Sequence, residues 1–278
     1  MKNPKVLYIL ISLFCIFAII AGIYAQYIES YQVNTDLAQE DEKIEQEKTQ
    51  EKIKADFNNL FINELNLGGF DTTGIAKINN EHDIVYSAID REEVTENYEI
   101  NIHIPVINIR NELANTYNSM TQADFINKAN DVMQNTDKTK KAIYSIDYAA
   151  YVNNNILSLV IRSTLKEGSS AQRIIIRTYN YNLSTNQEAS LIDLITIKRL
   201  NKDEVNNKIL QVVKAENQEA ESLQSMGYNQ IFVRDLTSDI YNVDNAGAYF
   251  LGPNGELYIV YAYGNGEFTS EMDIILFE

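Results

Sequence analysis

An apolar run near the start of the chain, Val6–Ala25, constrains this sequence most, because it contains no charged residue. Twenty helical residues at about 1.5 Å each span about 30 Å, the thickness of a bilayer's hydrocarbon core. Lys2 and Lys5 precede the run and acidic residues dominate after it. The positive-inside bias then places residues 1–5 in the cytoplasm and the chain from Gln26 onward outside. The run therefore predicts a single-pass transmembrane helix.

A cleaved secretory signal and a lipid anchor are the alternatives to a retained helix. A secretory signal has a shorter apolar region, typically about 7–15 residues, that ends in a small-x-small site. Ile23-Tyr24-Ala25 only approximates such a site, and the length of the run favours an uncleaved anchor. Cys15 lies in the middle of the run behind Phe14, where a lipoprotein signal needs a small residue, so lipid attachment is discarded.

The charge of the chain narrows the range of partners. With 39 acidic and 23 basic residues the formal net charge is −16, and such a field repels nucleic acid. The same field attracts basic proteins and raises their association rate, although acidity also serves solubility alone. The single cysteine lies inside the apolar run, so the outer part can form neither a disulfide nor a thiolate metal site.

Residues 26–67 predict a helical stalk. Glu and Lys alternate in its first part with too few apolar residues for a coiled-coil seam. From Ile53 to Leu65 apolar residues recur every three or four positions, and Gly68-Gly69 supplies a stop, so this end is expected to dock on the domain that follows.

The remaining chain alternates strand and helix patterns, which we divide into an N-terminal part, 68–141, and a C-terminal part, 142–278. Short turns between runs of strands predict an α+β fold, an antiparallel sheet with helices packed on it. The predicted elements are a strand from Tyr98, a helix over 110–135, a three-stranded meander from Ala142, a short helix capped by Ser190 and Asp193, a long helix from Asn201, and a closing hairpin at Gly252–Gly255.

No pattern in the sequence indicates catalysis. His82 and His103 are the only histidines, too few for a typical zinc site, and no nucleophile elbow, P-loop or metalloprotease motif occurs. Paired carboxylates could serve glycoside hydrolysis, but with 39 acidic residues some pairing is inevitable. We therefore predict no enzyme activity, no cofactor and no metal.

Tyrosines on two predicted strands are the candidate binding residues. Tyr179 and Tyr181 share one strand face, and Tyr261 and Tyr263 share another, beside Glu267. On an open sheet face, tyrosines offer rigid area with a polar tip to a partner. The alternative is that they are half-buried under a helix with the hydroxyl at the edge.

Four stretches resemble a known family. They are SIDYAAYVNNNILSLVI, YNYNLSTNQEASLIDLI, the IPVINI strand and the closing AYFLGPNGELYIVYAYGNGE. Together, over Tyr98–Glu278, they resemble the extracellular domain of RsiV-type anti-sigma factors, which also occurs in PdaC-type peptidoglycan deacetylases. The part before residue 142 is PdaC-like and the part after it is RsiV-like.

The resemblance implies an α+β binding domain on the outside of a Gram-positive cell, which in the anti-sigma members binds lysozyme. This sequence departs from the family pattern at three points. Five residues precede the apolar run, too few to hold a sigma factor; no deacetylase domain follows; and Glu167–Gln172 replaces a Gly-Gly-Ala-His phrase. We therefore expect a membrane-anchored, non-catalytic domain that binds a basic protein such as lysozyme or a cell-wall glycan. The alternatives are an envelope enzyme that acts on peptidoglycan and a structural component of an envelope complex.

Overall fold

A computed structural model describes residues 49–135, 139–228, 231–263 and 270–278. The chain divides into two compact units, Met1–Ile53 and Lys54–Glu278. Within the described residues, no helix combines the length and the apolar character needed to cross a bilayer. The predicted anchor lies outside them.

The first helix, α1, covers residues 49–58 of the described chain. The predicted helix continued toward Gly68, but the structure ends it ten residues earlier. Asn63 adopts a left-handed backbone with φ of 61°, and Leu65–Asn66 then forms a short strand, β1, parallel to β4 (Ala142–Asn153). The Asn63 side chain supports this path, because its Oδ1 accepts a hydrogen bond from the backbone amide of Tyr148 at 2.8 Å.

A seven-stranded sheet forms the first half of the domain, in the order β2-β3-β4-β5-β6-β7, with β1 pairing separately with β4. Among the described strands, the β3–β4 and β1–β4 pairs are parallel and the other pairs are antiparallel. Residue 142 is the predicted division of the domain, and strands from both parts contribute to this one sheet. Its remaining strands are β2 (Val85–Val94), β3 (Tyr98–Ile107), β4 (Ala142–Asn153), β5 (Ile156–Glu167), β6 (Arg173–Asn182) and β7 (Gln187–Glu188).

A helical crossover joins the parallel strands β3 and β4, as parallel neighbours require. It consists of α2 (Glu112–Thr121), a π-helical turn (Gln122–Ile126) and α3 (Asn127–Asn135). The crossover buries Tyr117, Phe125 and Val132 in the same core as the alternating Tyr144, Ile146 and Tyr148 of β4. This is the first core of the domain.

A second core lies between two further helices and a three-stranded sheet. The helices are α4 (Leu191–Ile197) and α5 (Lys202–Ser225), and the sheet has the order β10-β9-β8. Ser190 and Asp193 form the predicted capping box of α4, and Asn201 caps α5. The core includes Val205, Ile209, Val213, Ile259 and Ile275. The strands are β8 (Ala248–Leu251), β9 (Leu257–Ala262) and β10 (Met272–Phe277).

Side chains of the large sheet complete the hydrogen bonding of β8. The amide of Leu251 donates to Ser158 Oγ at 3.1 Å, and the amide of Tyr249 donates to Thr178 Oγ1 at 3.1 Å. Asn180 Nδ2 donates to the carbonyl of Tyr249 at 2.8 Å. Because an unpaired buried backbone group is costly, these bonds fix how the two sheets meet.

The start of the second unit docks on the small sheet. The Phe57 ring centroid lies 6.2 Å from that of Phe250 and 6.1 Å from that of Tyr258, and Phe57 is fully buried. The α+β part of the predicted fold class is confirmed, since the structure has antiparallel-rich sheets and a few helices, whereas the predicted transmembrane helix lies outside the described residues.

Candidate functional site

The first predicted pair of binding tyrosines lies in a core. Tyr179 is 3% exposed and Tyr181 is fully buried. The Tyr179 ring stacks on Tyr117 of α2 with centroids 4.6 Å apart, and the Tyr181 hydroxyl donates to Asn186 Oδ1 at 2.9 Å. The expectation that these side chains form an open binding face is wrong, because the helical crossover covers that face of β6.

The second predicted pair is buried as well. Tyr261 is 6% exposed and Tyr263 is 8% exposed, both in the core beneath α4 and α5. These two tyrosines therefore offer no open face to a partner either. Glu267, the fifth candidate, lies outside the described residues. Tyr263 nevertheless belongs to a group of hydrogen-bonded, buried polar side chains.

This group, the Asp273 cluster, consists of Asp273, Arg234, Tyr263 and Tyr241. Arg234 Nη2 lies 2.7 Å from Asp273 Oδ1 and Nε lies 3.2 Å from Oδ2, so the ion pair has two hydrogen bonds. The Tyr263 hydroxyl donates to Asp273 Oδ2 at 2.6 Å, and the hydroxyls of Tyr241 and Tyr263 are 3.0 Å apart. One carboxylate thus binds Arg234 directly and Tyr241 through Tyr263.

The charge of Asp273 and the burial of the cluster shift the pKa values of Arg234 and Tyr263. Burial alone would lower the pKa of Arg234, but the hydrogen bonds and charge of Asp273 outweigh burial and raise it. Burial and the neighbouring Asp273 charge both raise the pKa of Tyr263. At neutral pH the guanidinium is therefore charged, and the Tyr263 hydroxyl keeps its proton and donates a hydrogen bond to the carboxylate.

A cleft of about 390 Å³ opens beside the cluster. Lys54 of α1 lies 2.8 Å from Glu216 of α5 across it, and Arg234 Nη1 lies 3.3 Å from Glu271. Glu219 also lines the cleft, together with the apolar side chains of Leu223, Ile231 and Met272. With Asp273 beneath, four carboxylates face two cations here, so the cleft carries an excess of negative charge.

The charged side chains around the cleft determine which ligands it can bind. Burial raises the pKa of Glu216 despite the hydrogen bond from Lys54. The excess carboxylates suit the amino or guanidinium group of a ligand better than an anion. No group of three or more metal-ligating side chains occurs in the parts of the chain that the structure describes.

Sequence reasoning missed Arg234, Asp273 and Tyr241. A usable signal was present, because Asp273 interrupts the apolar strand MDIILF and Arg234 follows the apolar pair Phe232-Val233. A charge inside an apolar segment indicates a buried ion pair, although the sequence does not identify the partner.

Solved structures that are similar to this chain include two bacterial proteins. No protein-family model and no curated protein matches the sequence. A DUF3298 family protein from Pseudomonas aeruginosa PAO1 is similar in structure, with a TM-score of 0.37 and 11% identity, over 66% of this chain and 82% of that chain. A DUF3298 family member from Bacteroides fragilis has a TM-score of 0.36 and 16% identity, over 64% of this chain and 82% of its own. Both neighbours are thus proteins with a domain of unknown function.

Proposed function

We propose that this chain is a single-pass membrane protein of a Gram-positive cell, whose extracytoplasmic domain binds a basic protein of the lysozyme kind without catalysis. In this proposal Val6–Ala25 is the anchor, and the domain is related to the RsiV-type and PdaC-type extracellular domains.

The observation that carries the binding proposal is the excess of carboxylates at the cleft beside the Asp273 cluster. Lys54 pairs with Glu216, and Arg234 pairs with both Asp273 and Glu271, while Glu219 also lines the cleft. Two cations therefore face four carboxylates, and the net charge around the cleft is negative. A Lys or Arg side chain from a partner would meet these carboxylates in a partly desolvated setting, where charged hydrogen bonds are strong. The net charge of −16 adds long-range attraction for the same class of partner.

Calorimetry with hen lysozyme tests the proposal. The full chain, solubilised in a mild detergent, is titrated at low salt and at about 0.15 M salt, with cytochrome c as a basic control protein. We expect saturable lysozyme binding that survives the higher salt and exceeds cytochrome c binding. Binding that is equal for both proteins and disappears with salt would contradict the proposal, and a parallel titration with peptidoglycan fragments would then test the glycan alternative.

The proposed orientation has its own test. In intact cells an external protease should remove the domain from Gln26 onward, while alkaline extraction leaves the anchor fragment in the membrane. A domain that is protected until the cells are lysed would overturn the orientation.

An envelope enzyme that acts on glycan is the second candidate. It is favoured by Glu216, a carboxyl group whose pKa is raised by burial and which lines an open cleft, as general acids do. Turnover of purified peptidoglycan that is lost in Glu216→Gln would support this candidate. Absence of turnover in the folded wild-type protein would exclude it for that substrate.

A further inference from the structure

We infer that residues 233–240, the Asp273-tethered loop, form the surface that contacts the basic partner. The inference rests on the proposed function and adds a location and a chemistry to it. The loop belongs to the long connection between α5 and β8, residues 226–247, whose described residues form neither helix nor strand. Connections of this length in compact domains are uncommon and usually serve a function.

Both ends of the loop are tied to one buried carboxylate. Arg234 binds Asp273 directly, and Tyr241, just beyond the other end, reaches it through the Tyr263 hydroxyl. Arg234 and Tyr241 are buried, whereas every residue from 235 to 240 is exposed or partly exposed. The loop therefore leaves the core and returns to it within a few residues.

Local hydrogen bonds hold the loop in one conformation between these ends. The Thr237 amide donates to Asp235 Oδ1 at 2.9 Å, and the Ser238 amide donates to the Asp235 carbonyl at 2.9 Å. Asn245 Nδ2 donates to the Asp239 carbonyl at 2.9 Å. A surface fixed in advance loses little conformational entropy when a partner binds.

The outward side chains combine apolar area with negative charge. Leu236 is 40% exposed, Ile240 is 41% exposed and Val233 is 37% exposed. Asp235 and Asp239 are exposed between them, and the only cation of the loop, Arg234, is buried against Asp273. Single exposed apolar residues are ordinary, but three within eight residues on a fixed loop are suited to an interface core.

The same chemistry defines the partner. Leu236 and Ile240 fit an apolar depression, and Asp235 and Asp239 fit Lys or Arg side chains at its rim. The cleft lies at the buried end of the loop, because Arg234 lines it as well. A basic protein can thus engage the loop and the cleft together, whereas a second copy of this acidic chain would be repelled.

The test compares two double variants of the full chain by calorimetry with hen lysozyme. Leu236→Ala with Ile240→Ala truncates two of the three exposed apolar side chains of the loop and leaves Val233 in place. Leu210→Ala with Ile192→Ala is the matched control, since these residues are 45% and 42% exposed on α5 and α4. We expect the loop variant to bind at least about tenfold more weakly and the control to stay within about twofold of wild type.

The outcomes separate the two proposals. If wild type does not bind lysozyme, the proposed function fails for this partner and the loop assignment falls with it. If wild type binds and the loop variant binds equally well, only the loop assignment is overturned. The loop assignment is also overturned if the loop variant and the control variant lose the same affinity. Hydrogen exchange of wild type provides a second measurement, in which the amides of residues 235–240 should exchange more slowly in the complex. Unchanged exchange there would also overturn the assignment.

Discussion

Arg234 and Asp273 form a buried ion pair in which the guanidinium side chain is 3% exposed and the carboxylate is fully buried. The two residues are 39 positions apart, and their bond joins an irregular connection to the strand β10. Two buried charges stabilise a fold only while each retains the other, because either one alone lacks both water and a counter-ion.

Asp273→Asn should therefore be strongly destabilising. The substitution keeps the shape of the side chain but removes the closest and most buried counter-ion of Arg234. Glu271 at 3.3 Å and Glu216 at 3.9 Å remain as more distant partners, so the cost should lie near the lower end of the range for a broken buried pair, about 3 kcal/mol. Urea unfolding of the full chain measures the loss. Asp244→Asn is the control, because Asp244 pairs with Lys202 at an exposed site, where the loss is below about 1 kcal/mol. Equal stability of the two variants would contradict the structure of the cluster.

Tyr263→Phe and Tyr261→Phe should differ, although the two tyrosines are two positions apart and similarly buried. The Tyr263 hydroxyl donates to a carboxylate, so its removal should cost about 1.5–3 kcal/mol. The Tyr261 hydroxyl is buried and has no hydrogen-bond partner among the described residues, so its removal should be neutral or stabilise by up to about 1 kcal/mol. Thermal unfolding distinguishes the two, and a larger loss for Tyr261→Phe would contradict the assigned contacts.

The stability of the domain should depend on pH through Glu216. Burial raises the pKa of this carboxyl group above its ordinary value of 4.5 in the folded state. The folded state then binds more protons than the unfolded state. The stabilisation that Glu216 contributes is therefore fully present below pH 4.5, and it is lost as the pH rises through the pKa of Glu216 in the folded state. The free energy of unfolding of wild type, relative to Glu216→Gln, should fall as the pH rises above 4.5. Urea unfolding over this range measures it, and a difference that rises with pH would reverse the assigned sign.

Ser158→Ala should loosen the contact between the two sheets. Ser158 Oγ accepts from the Leu251 amide and donates to Asn180 Oδ1 at 2.7 Å in a fully buried position. Its loss leaves a buried amide without an acceptor and should cost about 1–3 kcal/mol. Ser119→Ala, at an exposed helical site, should stay within about 0.5 kcal/mol. Hydrogen exchange at Leu251 should accelerate in Ser158→Ala, and unchanged exchange would argue against the bond.

Much of the fold was predictable because local pattern and final environment agree. The alternation at Ala142, Tyr144, Ile146 and Tyr148 predicted a strand whose alternate residues are buried, as the structure has it. β2 was missed because four consecutive charged residues, 90–93, hide its alternation, and it lies at the edge of the sheet, where charge is tolerated. The end of α1 was misplaced because Phe61 and Leu65 keep the four-residue spacing of a helix, although the backbone turns at Asn63 between them.

The candidate site was less predictable because it depends on contacts between distant residues. Tyr179 and Tyr181 do share a strand face, but the sequence does not say that a helical crossover covers it. Tyr263 was predicted as a binding residue, but the sequence did not indicate its partner Asp273. The pairing of Asp273 with Arg234 depends on how the connection after α5 packs. Charge pairing of this kind leaves no periodic pattern.

The docking of Phe57 on Phe250 and Tyr258 determines the order in which the domain can be completed. During translation, Phe57 is added to the chain about 200 residues before its two aromatic partners. The α1 helix therefore lacks these partners while most of the domain is being synthesised. Until β8 and β9 emerge, the ring of Phe57 is available to chaperones or to other chains, as the apolar surfaces of incomplete domains generally are. The earliest-made part of the domain is in this sense among the last to be packed.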